Sequence, residues 1–430
     1  MTPMLRCDSR RVSASAARVV AAAGLSVLLG VTGCSASQAS SIEGGGAGAA
    51  PAAAAPSGGP ASTVAPVRVG TPDLRVSVVT TGLSHVWDLG FLPDGRVLVT
   101  ERDGRFALLS GTSPGATVTE VAADLSDVYV RGEGGLMGMV VHPDFEGSRR
   151  FTTCQTHMEA GTPTDVRLIT WQLSADGTTA SRVADPMVGG LPINPSGRHS
   201  GCRPTIDANG SLLVGTGDTG RGAIPQDLTS LGGKVLRVDL ATGGPAAGNP
   251  YADAPNPAQR LVWSYGHRNV QGVAVHPDTG AVYAAEHGPT TDDEVNLLRA
   301  GGNYGWDPAQ GGTVAGYDES VPMTDLSRFS DAVPAAWSSG SPVEAVSGAA
   351  FLSGPQWGEL HGTLAVGALR GEKLLLMRLD QGGAVAAVSV PAPLDGAYGR
   401  IRAVRSGPDG ALFVSTSNGT DDEVLRIDPV

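Results

Sequence analysis

Two short segments of the sequence carry residues that together could remove a proton from a bound substrate. His199 lies among small residues in the segment 196–203, and Asp218 ends the stretch Gly-Thr-Gly-Asp at 215–218. If the chain folds back at Asn209-Gly210, Asp218 returns to the end of the hairpin that holds His199. The carboxylate would then hold one imidazole tautomer and leave the other ring nitrogen free to accept a proton. The spacing therefore predicts a His–Asp dyad in which the histidine is a general base.

Oxygen ligands, hydrogen-bond donors and positive charges are concentrated in three further segments. Residues 265–272 form a dense group of donors, and residues 286–294 combine a Gly-Pro turn with three consecutive carboxylates. Carbonyl and carboxylate oxygens are the ligands that calcium prefers, and an acidic loop exposed to solvent is the alternative. Arg400 and Arg402 alternate, which would place both guanidinium groups on one face of a strand. Paired surface arginines without a function are the alternative there.

The composition favours short strands over helices. The 430 residues include 61 Gly and 30 Pro, and both residue types break helices and mark turns. One pattern, an apolar pair followed by Pro-Asp-Gly or a similar turn and then by more apolar residues, is called the turn phrase below. It occurs six times, at 91–99, 140–144, 206–214, 273–278, 351–366 and 407–414. Such spacings fit one four-stranded blade each, so the sequence predicts an all-β fold, a six-bladed β-propeller over residues 67–430, rather than a sandwich or a β-helix.

The first 66 residues indicate export rather than a fold. Several arginines precede an apolar run over 19–32 that is too short to span a bilayer, and the run ends in Gly33-Cys34. This order is typical of a lipoprotein signal peptide, and a chance Gly-Cys is the alternative. We predict a signal peptide over 1–33, a lipid anchor at Cys34 that holds the exported protein on the outer side of the cell membrane, and a disordered Ala/Gly/Ser/Pro-rich tether over 34–66.

Charge and cysteine content agree with an exported protein that does not bind nucleic acid. The net charge of −12 lacks the surplus of Lys and Arg that phosphate binding needs. With Cys7 in the leader and Cys34 at the lipid site, Cys154 and Cys202 remain as a pair in an oxidising compartment. A disulfide between them is predicted, and two unrelated buried thiols are the alternative. The tryptophans beside apolar strand patterns are interpreted as packing residues: 87, 263, 306 and 357.

Seven motifs, taken in this order, closely resemble the soluble quinoprotein glucose or aldose sugar dehydrogenases, also called the glucose/sorbosone dehydrogenase family. They are Gly-Glu-Gly-Gly-Leu-Met-Gly with His-Pro-Asp-Phe at 132–145, Gly-Arg-His at 197–199, Gly-Thr-Gly-Asp at 215–218, Tyr-Gly-His-Arg-Asn at 265–269, Glu-His-Gly-Pro at 286–289, Asp-Asp-Glu-Val-Asn-Leu at 292–297 and Gly-Gly-Asn-Tyr-Gly-Trp at 301–306. The resemblance covers residues 83–430. Members of this family are six-bladed propellers that use pyrroloquinoline quinone (PQQ) and calcium.

The resemblance implies a role for each matching residue. His199 matches the family's general base and Asp218 the carboxylate that orients it. Contacts to the quinone or to its three carboxylates fall on Glu133, Arg268, Asn269, Arg370, Arg400 and Arg402. Calcium ligands fall on the carbonyls of Gly288 and Pro289, and part of a second, structural calcium site on Glu294 and the Tyr304 carbonyl. The arginines would supply the positive charge that a protein of net charge −12 needs to hold an anionic cofactor.

Two positions depart from the family pattern. Glu133 stands where glucose-oxidising members carry a Gln, and Val343 stands where a Thr often hydrogen-bonds the quinone. The resemblance implies oxidation of an aldose at the anomeric hydroxyl to a lactone, with electrons passed to an external acceptor. A cofactor-free binding or scaffold lipoprotein on the same fold is the main alternative, and a metal-dependent propeller lactonase is another. The identity of the sugar, the acceptor and the oligomeric state are left open by the sequence.

Overall fold

The computed structural model describes residues 67–68, 73–314 and 316–430, and over them the chain is almost entirely β-structure. Its strands, β1 to β25 in chain order, span Val67–Arg68, Leu74–Leu83, Val86–Phe91, Val97–Glu101, Arg105–Leu109, Val118–Val121, Leu136–Val141, Arg150–Glu159, Thr162–Leu173, Ala180–Leu191, Gly201–Ile206, Leu212–Thr216, Lys234–Val238, Val262–Tyr265, Val270–Val275, Val282–Glu286, Glu294–Leu297, Trp337–Ser338, Val346–Phe351, Leu364–Ala368, Lys373–Leu379, Val385–Ser389, Ile401–Ser406, Leu412–Thr416 and Asp422–Pro429. The helical elements are α1 (Phe145–Ser148), α2 (Pro257–Arg260) and three 3₁₀ turns (Gln310–Gly312, Pro355–Leu360 and Ala392–Leu394). Within the described residues no helix has the length and apolar character needed to cross a bilayer. The predicted signal peptide, the Cys34 anchor and the tether lie outside the described residues.

The strands form six sheets, numbered here as blades 1 to 6. Blades 1 to 5 each use four consecutive antiparallel strands, β3–β6, β7–β10, β11–β14, β15–β18 and β19–β22, and the backbone of β1 adds to β22 in parallel. Blade 6 combines β23–β25 with β2, so an N-terminal strand closes the ring onto the C-terminal ones. The first strand of every blade contacts the first strand of the next, all the way round. The predicted six-bladed propeller is therefore confirmed, and its inner strands surround a central channel.

All six turn phrases join the first strand of a blade to the second. Hydrogen bonds close these turns, as from the Gly95 amide to the Leu92 carbonyl and from the Gly210 amide to the Asp207 carbonyl, both at 3.0 Å. Because the strands of a blade run alternately up and down, these turns all lie at one end of the ring. The connections from second to third strand, and from one blade to the next, lie at the other end. We call that other end the site face, because most of the predicted site residues fall in its connections.

The hydrophobic core lies between neighbouring blades, and a disulfide crosses one of these boundaries. Cys154 on β8 and Cys202 on β11 are both fully buried and joined by an S–S bond of 2.00 Å. They belong to an apolar cluster that also contains Trp87 and strand residues of blades 2 and 3. The predicted pairing is confirmed, and it ties the strand that follows His199 to the preceding blade.

One long connection, residues 298–336 between β17 and β18, reaches across to the site face of blade 3. The Tyr304 amide donates to the Tyr265 carbonyl at 2.9 Å, and the Trp306 amide donates to the Gly266 carbonyl at 3.0 Å. These backbone bonds bring Trp306 and the residues after it next to the loops that hold His199 and Asp218.

Candidate active site

The predicted dyad is formed by two loops that meet at the site face. His199 lies in the connection before β11, with a left-handed backbone (φ 49°), and Asp218 comes just after β12. A side chain at Gly217 would collide with the His199 carbonyl oxygen, so glycine is required for this approach. His199 Nδ1 lies 2.7 Å from Asp218 Oδ1. With the proton on Nδ1, Nε2 of this buried ring is left as the atom that can accept a proton from a substrate.

Asp218 is held by donors on every side. Its Oδ1 also accepts from the Gly220 amide at 2.8 Å, and its Oδ2 accepts from the Trp306 indole at 2.8 Å and from the Tyr317 hydroxyl at 2.6 Å. Burial alone would raise the pKa of Asp218, but the bonds and charge of His199, with the bond from Tyr317, hold that pKa below its usual value. The carboxylate therefore stays ionised and can stabilise a protonated His199.

Sequence reasoning missed two of these partners. Trp306 was interpreted as a packing residue; it is fully buried, and it also donates to Asp218. Tyr317 carried no signal, because 99 positions separate it from Asp218. The Gly-Gly-Asn-Tyr-Gly-Trp motif was a signal that could have identified Trp306. Tyr317 is brought to Asp218 only by the path of the long connection.

Two arginines and one glutamate lie beside the dyad. The Arg198 Nε lies 3.4 Å from His199 Nε2, and the Arg198 guanidinium pairs with Glu319 at 2.7 Å. Arg268, which the resemblance implied, pairs with the same Glu319 at 2.6 Å and donates to the His287 carbonyl at 2.7 Å. Neither Arg198 nor Glu319 was predicted, because neither residue belongs to a role that the resemblance assigned.

Glu133 joins the predicted residues of three blades. Its Oε1 accepts from the Gly201 amide at 2.9 Å and from Gln271 Nε2 at 2.7 Å, and its Oε2 accepts from Asn269 Nδ2 at 3.0 Å. Gln271 in turn accepts from Arg402 Nη1 at 3.0 Å. Glu133, Asn269 and Arg402 thus form one hydrogen-bonded network, linked by Gln271 from the predicted donor-rich segment 265–272.

Arg402 is a buried cation without an anionic partner. Its guanidinium lies 4.1 Å from the centre of the Trp87 ring, its Nε has no hydrogen-bond partner, and among the described residues no carboxylate lies within ion-pair distance of it. Burial lowers the pKa of Arg402 to about 9, although Glu133 partly opposes this. The buried Asn269 Oδ1 also lacks a partner. The unpaired guanidinium of Arg402 fits an anionic, acceptor-rich cofactor such as PQQ, whereas the Asn269 oxygen would need a donor on the ligand.

Arg370 and Arg400 lie at the rim of the same region and are exposed. Arg400 comes immediately before β23, where strand alternation no longer applies, and its Nη1 lies 3.5 Å from the Leu369 carbonyl oxygen. In the part of the chain that the structure describes, neither arginine forms an ion pair. Arg402 is therefore the buried member of the predicted pair, and Arg400 and Arg370 are free to reach a ligand from outside.

The Gly288-Pro289 turn has oxygen atoms where the resemblance implied a calcium. The Gly288 carbonyl lies 2.5 Å from His287 Nδ1, and the Gly288 amide donates to the buried Asp293 at 2.8 Å. Burial raises the pKa of Asp293, and the nearby His287 opposes this rise. Across the described residues no group of three or more His, Cys, Asp and Glu side chains is arranged to hold a metal ion. A cation here would therefore rest on backbone carbonyls, as the resemblance implies.

Val343, whose amide contacts the Thr290 carbonyl at 3.3 Å, offers only an apolar side chain beside this turn.

Glu294 is a buried carboxyl group that forms no ion pair with the described residues. Its Oε1 accepts from Thr324 at 3.0 Å and its Oε2 from Asn296 at 3.2 Å. Burial, together with the neighbouring Glu286, raises the pKa of Glu294 to about 8. Tyr304 lies in the adjoining long connection, with its ring stacked 4.5 Å from that of His267. Without a cation Glu294 is therefore mostly protonated near neutral pH, and a cation bound beside it would favour the ionised carboxylate.

The sequence and the structure of this chain are similar to those of known sugar dehydrogenases. A profile described as Glucose / Sorbosone dehydrogenase matches residues 83–426. The aldose sugar dehydrogenase of Escherichia coli is 31% identical over 364 residues, which cover 83% of this chain and 93% of that protein. A solved oxidoreductase of Thermus thermophilus, described as a glucose dehydrogenase, is 35% identical with a TM-score of 0.68, and the match covers 83% of this chain and 100% of that one. The PQQ-bound aldose sugar dehydrogenase of Streptomyces coelicolor is 30% identical with a TM-score of 0.65, over 84% of this chain and 100% of that one.

The profile spans nearly the whole propeller, and the match to the Escherichia coli enzyme extends over almost all of that enzyme. Together with the dyad and the propeller, these matches show that this chain belongs to the glucose/sorbosone dehydrogenase family of sugar dehydrogenases.

Proposed function

We propose that this protein oxidises the anomeric hydroxyl of an aldose to a lactone, with PQQ and calcium as cofactors and an external electron acceptor. The observation that carries the proposal is the pairing of an oriented general base with a buried cation that has no counterion. His199 is clamped by Asp218 at 2.7 Å, and Arg402 has no carboxylate partner in the described part of the chain. A solved relative 30% identical to this chain contains PQQ.

In this proposal, His199 Nε2 takes the proton of the anomeric hydroxyl. Asp218 stabilises the resulting imidazolium, and Trp306 and Tyr317 keep that carboxylate in place by donating to its other oxygen. The imidazolium then releases its proton toward solvent through the open site face. Because the ring is buried and its Nδ1 is occupied, Nε2 is the one atom of His199 suited to this step.

The cofactors would be held by residues already described. Arg402 from the channel, with Arg400 and Arg370 from the rim, would pair with the carboxylates of PQQ, and Arg268 and Asn269 would contact its ring. The carbonyls of Gly288 and Pro289 would bind calcium. When bound, PQQ supplies the acceptor for the hydride that leaves the anomeric carbon, and calcium increases its electrophilicity.

A binding or scaffold propeller without cofactor is the second candidate, favoured by the apolar Val343 at the Gly288 turn. One neutral hydrogen bond is worth about 1 kcal/mol, which is small beside several charge-assisted bonds from arginines. A metal-dependent lactonase would not need the three arginines that lie without ion pairs at this face. The quinone-dependent dehydrogenase is therefore preferred.

The test uses the full chain purified in detergent and assayed with an artificial dye and a panel of aldoses. We expect turnover only when PQQ and calcium are both added. His199→Ala should still bind PQQ in a fluorescence titration, yet lose at least about a hundredfold in kcat, the usual size of a general-base effect. His361→Ala, at the turn-phrase end of the ring, is the matched control and should keep its activity. No turnover together with no PQQ binding would favour the cofactor-free propeller instead.

We further propose that the chain is anchored at the outer side of the cell membrane by a lipid on Cys34. The support is the order of arginines, apolar run and Gly-Cys in the sequence. In cells, Cys34→Ser should move the protein from the membrane fraction to the soluble extracytoplasmic fraction. An unchanged membrane fraction would contradict the anchor.

A further inference from the structure

Glu319 lies on the long connection and joins two arginines beside the dyad. Its Oε1 accepts from Arg198 at 2.7 Å and from Arg268 at 2.6 Å. Its Oε2 accepts no hydrogen bond from the residues that the structure describes. The Glu319 side chain is 38% exposed, so the free oxygen can be reached from the site face.

The Arg198 side chain contacts both Glu319 and the proton-accepting atom of His199. Arg198 Nε lies 3.4 Å from His199 Nε2, and its guanidinium lies 5.0 Å from the centre of the Tyr317 ring. Arg268 is buried and lies 5.8 Å from the centre of the Trp306 ring. A sugar whose anomeric hydroxyl reached His199 would therefore come close to this trio of charges, Arg198, Glu319 and Arg268.

The charge state of the trio follows from its contacts. Although partial burial would raise the pKa of Glu319, the hydrogen bonds and charges of Arg268 and Arg198 hold it below the usual value. Glu319 is therefore an anion, and it occupies the position where two guanidinium groups would otherwise bind a carboxylate of a ligand.

We propose that Glu319 makes this site selective for neutral aldoses over sugar acids such as uronates. It compensates part of the charge of Arg198 and Arg268, repels the carboxylate of a uronate, and offers its free oxygen to a hydroxyl of a neutral sugar. The inference rests on the proposed sugar oxidation and adds the substrate class. Without Glu319, the two guanidinium groups would form a ready receptor for a sugar carboxylate.

The experiment compares kcat/KM for two matched pairs, glucose with glucuronate and galactose with galacturonate, using the full chain with PQQ and calcium. Wild type should prefer the neutral sugar, and Glu319→Gln should shift both ratios toward the uronate by about tenfold or more. The shift should shrink as salt is raised, because it is electrostatic. Asp318→Asn removes the same charge one residue away without touching either arginine, and it should leave the ratios unchanged. Equal ratios in wild type and Glu319→Gln would overturn the inference.

Two further measurements keep the test decisive. If Glu319→Gln does not fold, Arg198→Gln is tested instead. It should lower uronate turnover relative to wild type, because less positive charge then offsets the negative charge of Glu319. A rise in uronate turnover would overturn the inference. If wild type oxidises no sugar at all, the proposed function fails, and calorimetry then tests the selectivity by itself. Glucuronate should bind Glu319→Gln more tightly than wild type, and equal affinity would refute the role of Glu319.

Discussion

Strand β23 carries an arginine toward each end of the central channel, buried Arg402 and partly buried Arg405, and the two differ in what surrounds them. Near the turn-phrase end, Arg405 binds Asp88 with both Nε (2.8 Å) and Nη2 (2.6 Å), and Arg203 binds the same carboxylate at 2.9 Å. Although burial would raise the pKa of Asp88, the two arginines hold it below its usual value. Near the site face, Arg402 has no carboxylate among the described residues. We call the Asp88, Arg203 and Arg405 cluster the channel floor.

The difference separates structural charge from functional charge. At the floor each charged group has an ion-pair partner inside the protein, and these pairs join blades 1, 3 and 6. At the site face Arg402 is a buried cation with no counterion among the described residues, and Glu294 would be a buried anion once ionised, so each would be stabilised by a ligand of the opposite charge. Burying an unpaired charge lowers the free energy of unfolding. Such a loss of stability is expected at a binding site, where the charged group must remain available for a ligand.

The largest effect on stability is expected when the carboxylate of the channel floor is removed. Asp88→Asn leaves two buried guanidinium groups without a carboxylate, and breaking a buried pair in this way costs about 3–5 kcal/mol. Urea unfolding should therefore show a much lower free energy of unfolding. Asp94→Asn, which removes an exposed carboxylate paired with Arg96 at 2.7 Å, serves as control and should cost under about 1 kcal/mol. Similar losses for both variants would break the comparison.

A pH dependence is expected from Glu294. Its pKa is about 8 in the folded protein and near the ordinary value in the unfolded chain, so the folded state binds more protons between these two values. Without calcium, the free energy of unfolding should fall as pH rises from about 5 to 8. Glu294→Gln removes that decline and should exceed wild type at pH 8 by roughly 4 kcal/mol. Melting curves in chelator test this, and parallel pH profiles would contradict it.

At the site face, an apolar replacement of Arg402 should not harm folding. Arg402→Met removes an unpaired buried charge, so the cofactor-free protein should be unchanged or about 1 kcal/mol more stable. PQQ affinity should fall by about thirtyfold or more, since a buried charge-assisted contact is lost. Arg378→Met, on the exposed face of β21, should change neither value. A large loss of stability in Arg402→Met would mean that this arginine is structural, like those of the floor.

The smallest effect is expected at Glu133. Glu133→Gln replaces one acceptor oxygen by an amide that faces Asn269, which should cost about 1 kcal/mol of stability. It also removes a negative charge that would repel the carboxylates of PQQ. PQQ binding, measured by fluorescence titration, should tighten a few-fold. Weaker binding would show that Glu133 holds the cofactor network together mainly through its carboxylate.

Local chemistry made much of the fold predictable. The six turn phrases contain their own turn residues, so the blade count follows from short segments that need no distant partner. The Cys154–Cys202 pairing followed from counting cysteines in an exported chain. The His199–Asp218 dyad was predictable for a similar reason, because one hairpin around Asn209-Gly210 brings the two residues together.

The sequence by itself therefore determined the propeller, the disulfide and the residue types of the dyad, since each depends on contacts that are local or on pairs with few alternatives. Only the tertiary structure decided that Tyr317 and Trp306 hold Asp218, that Glu319 joins Arg198 to Arg268, and that Arg405 pairs with a carboxylate whereas Arg402, within the described residues, does not. Contacts between residues about a hundred positions apart depend on how the blades close and on how the long connection crosses the site face. The charge balance of a buried group is the sum of all those neighbours, and no single segment contains it.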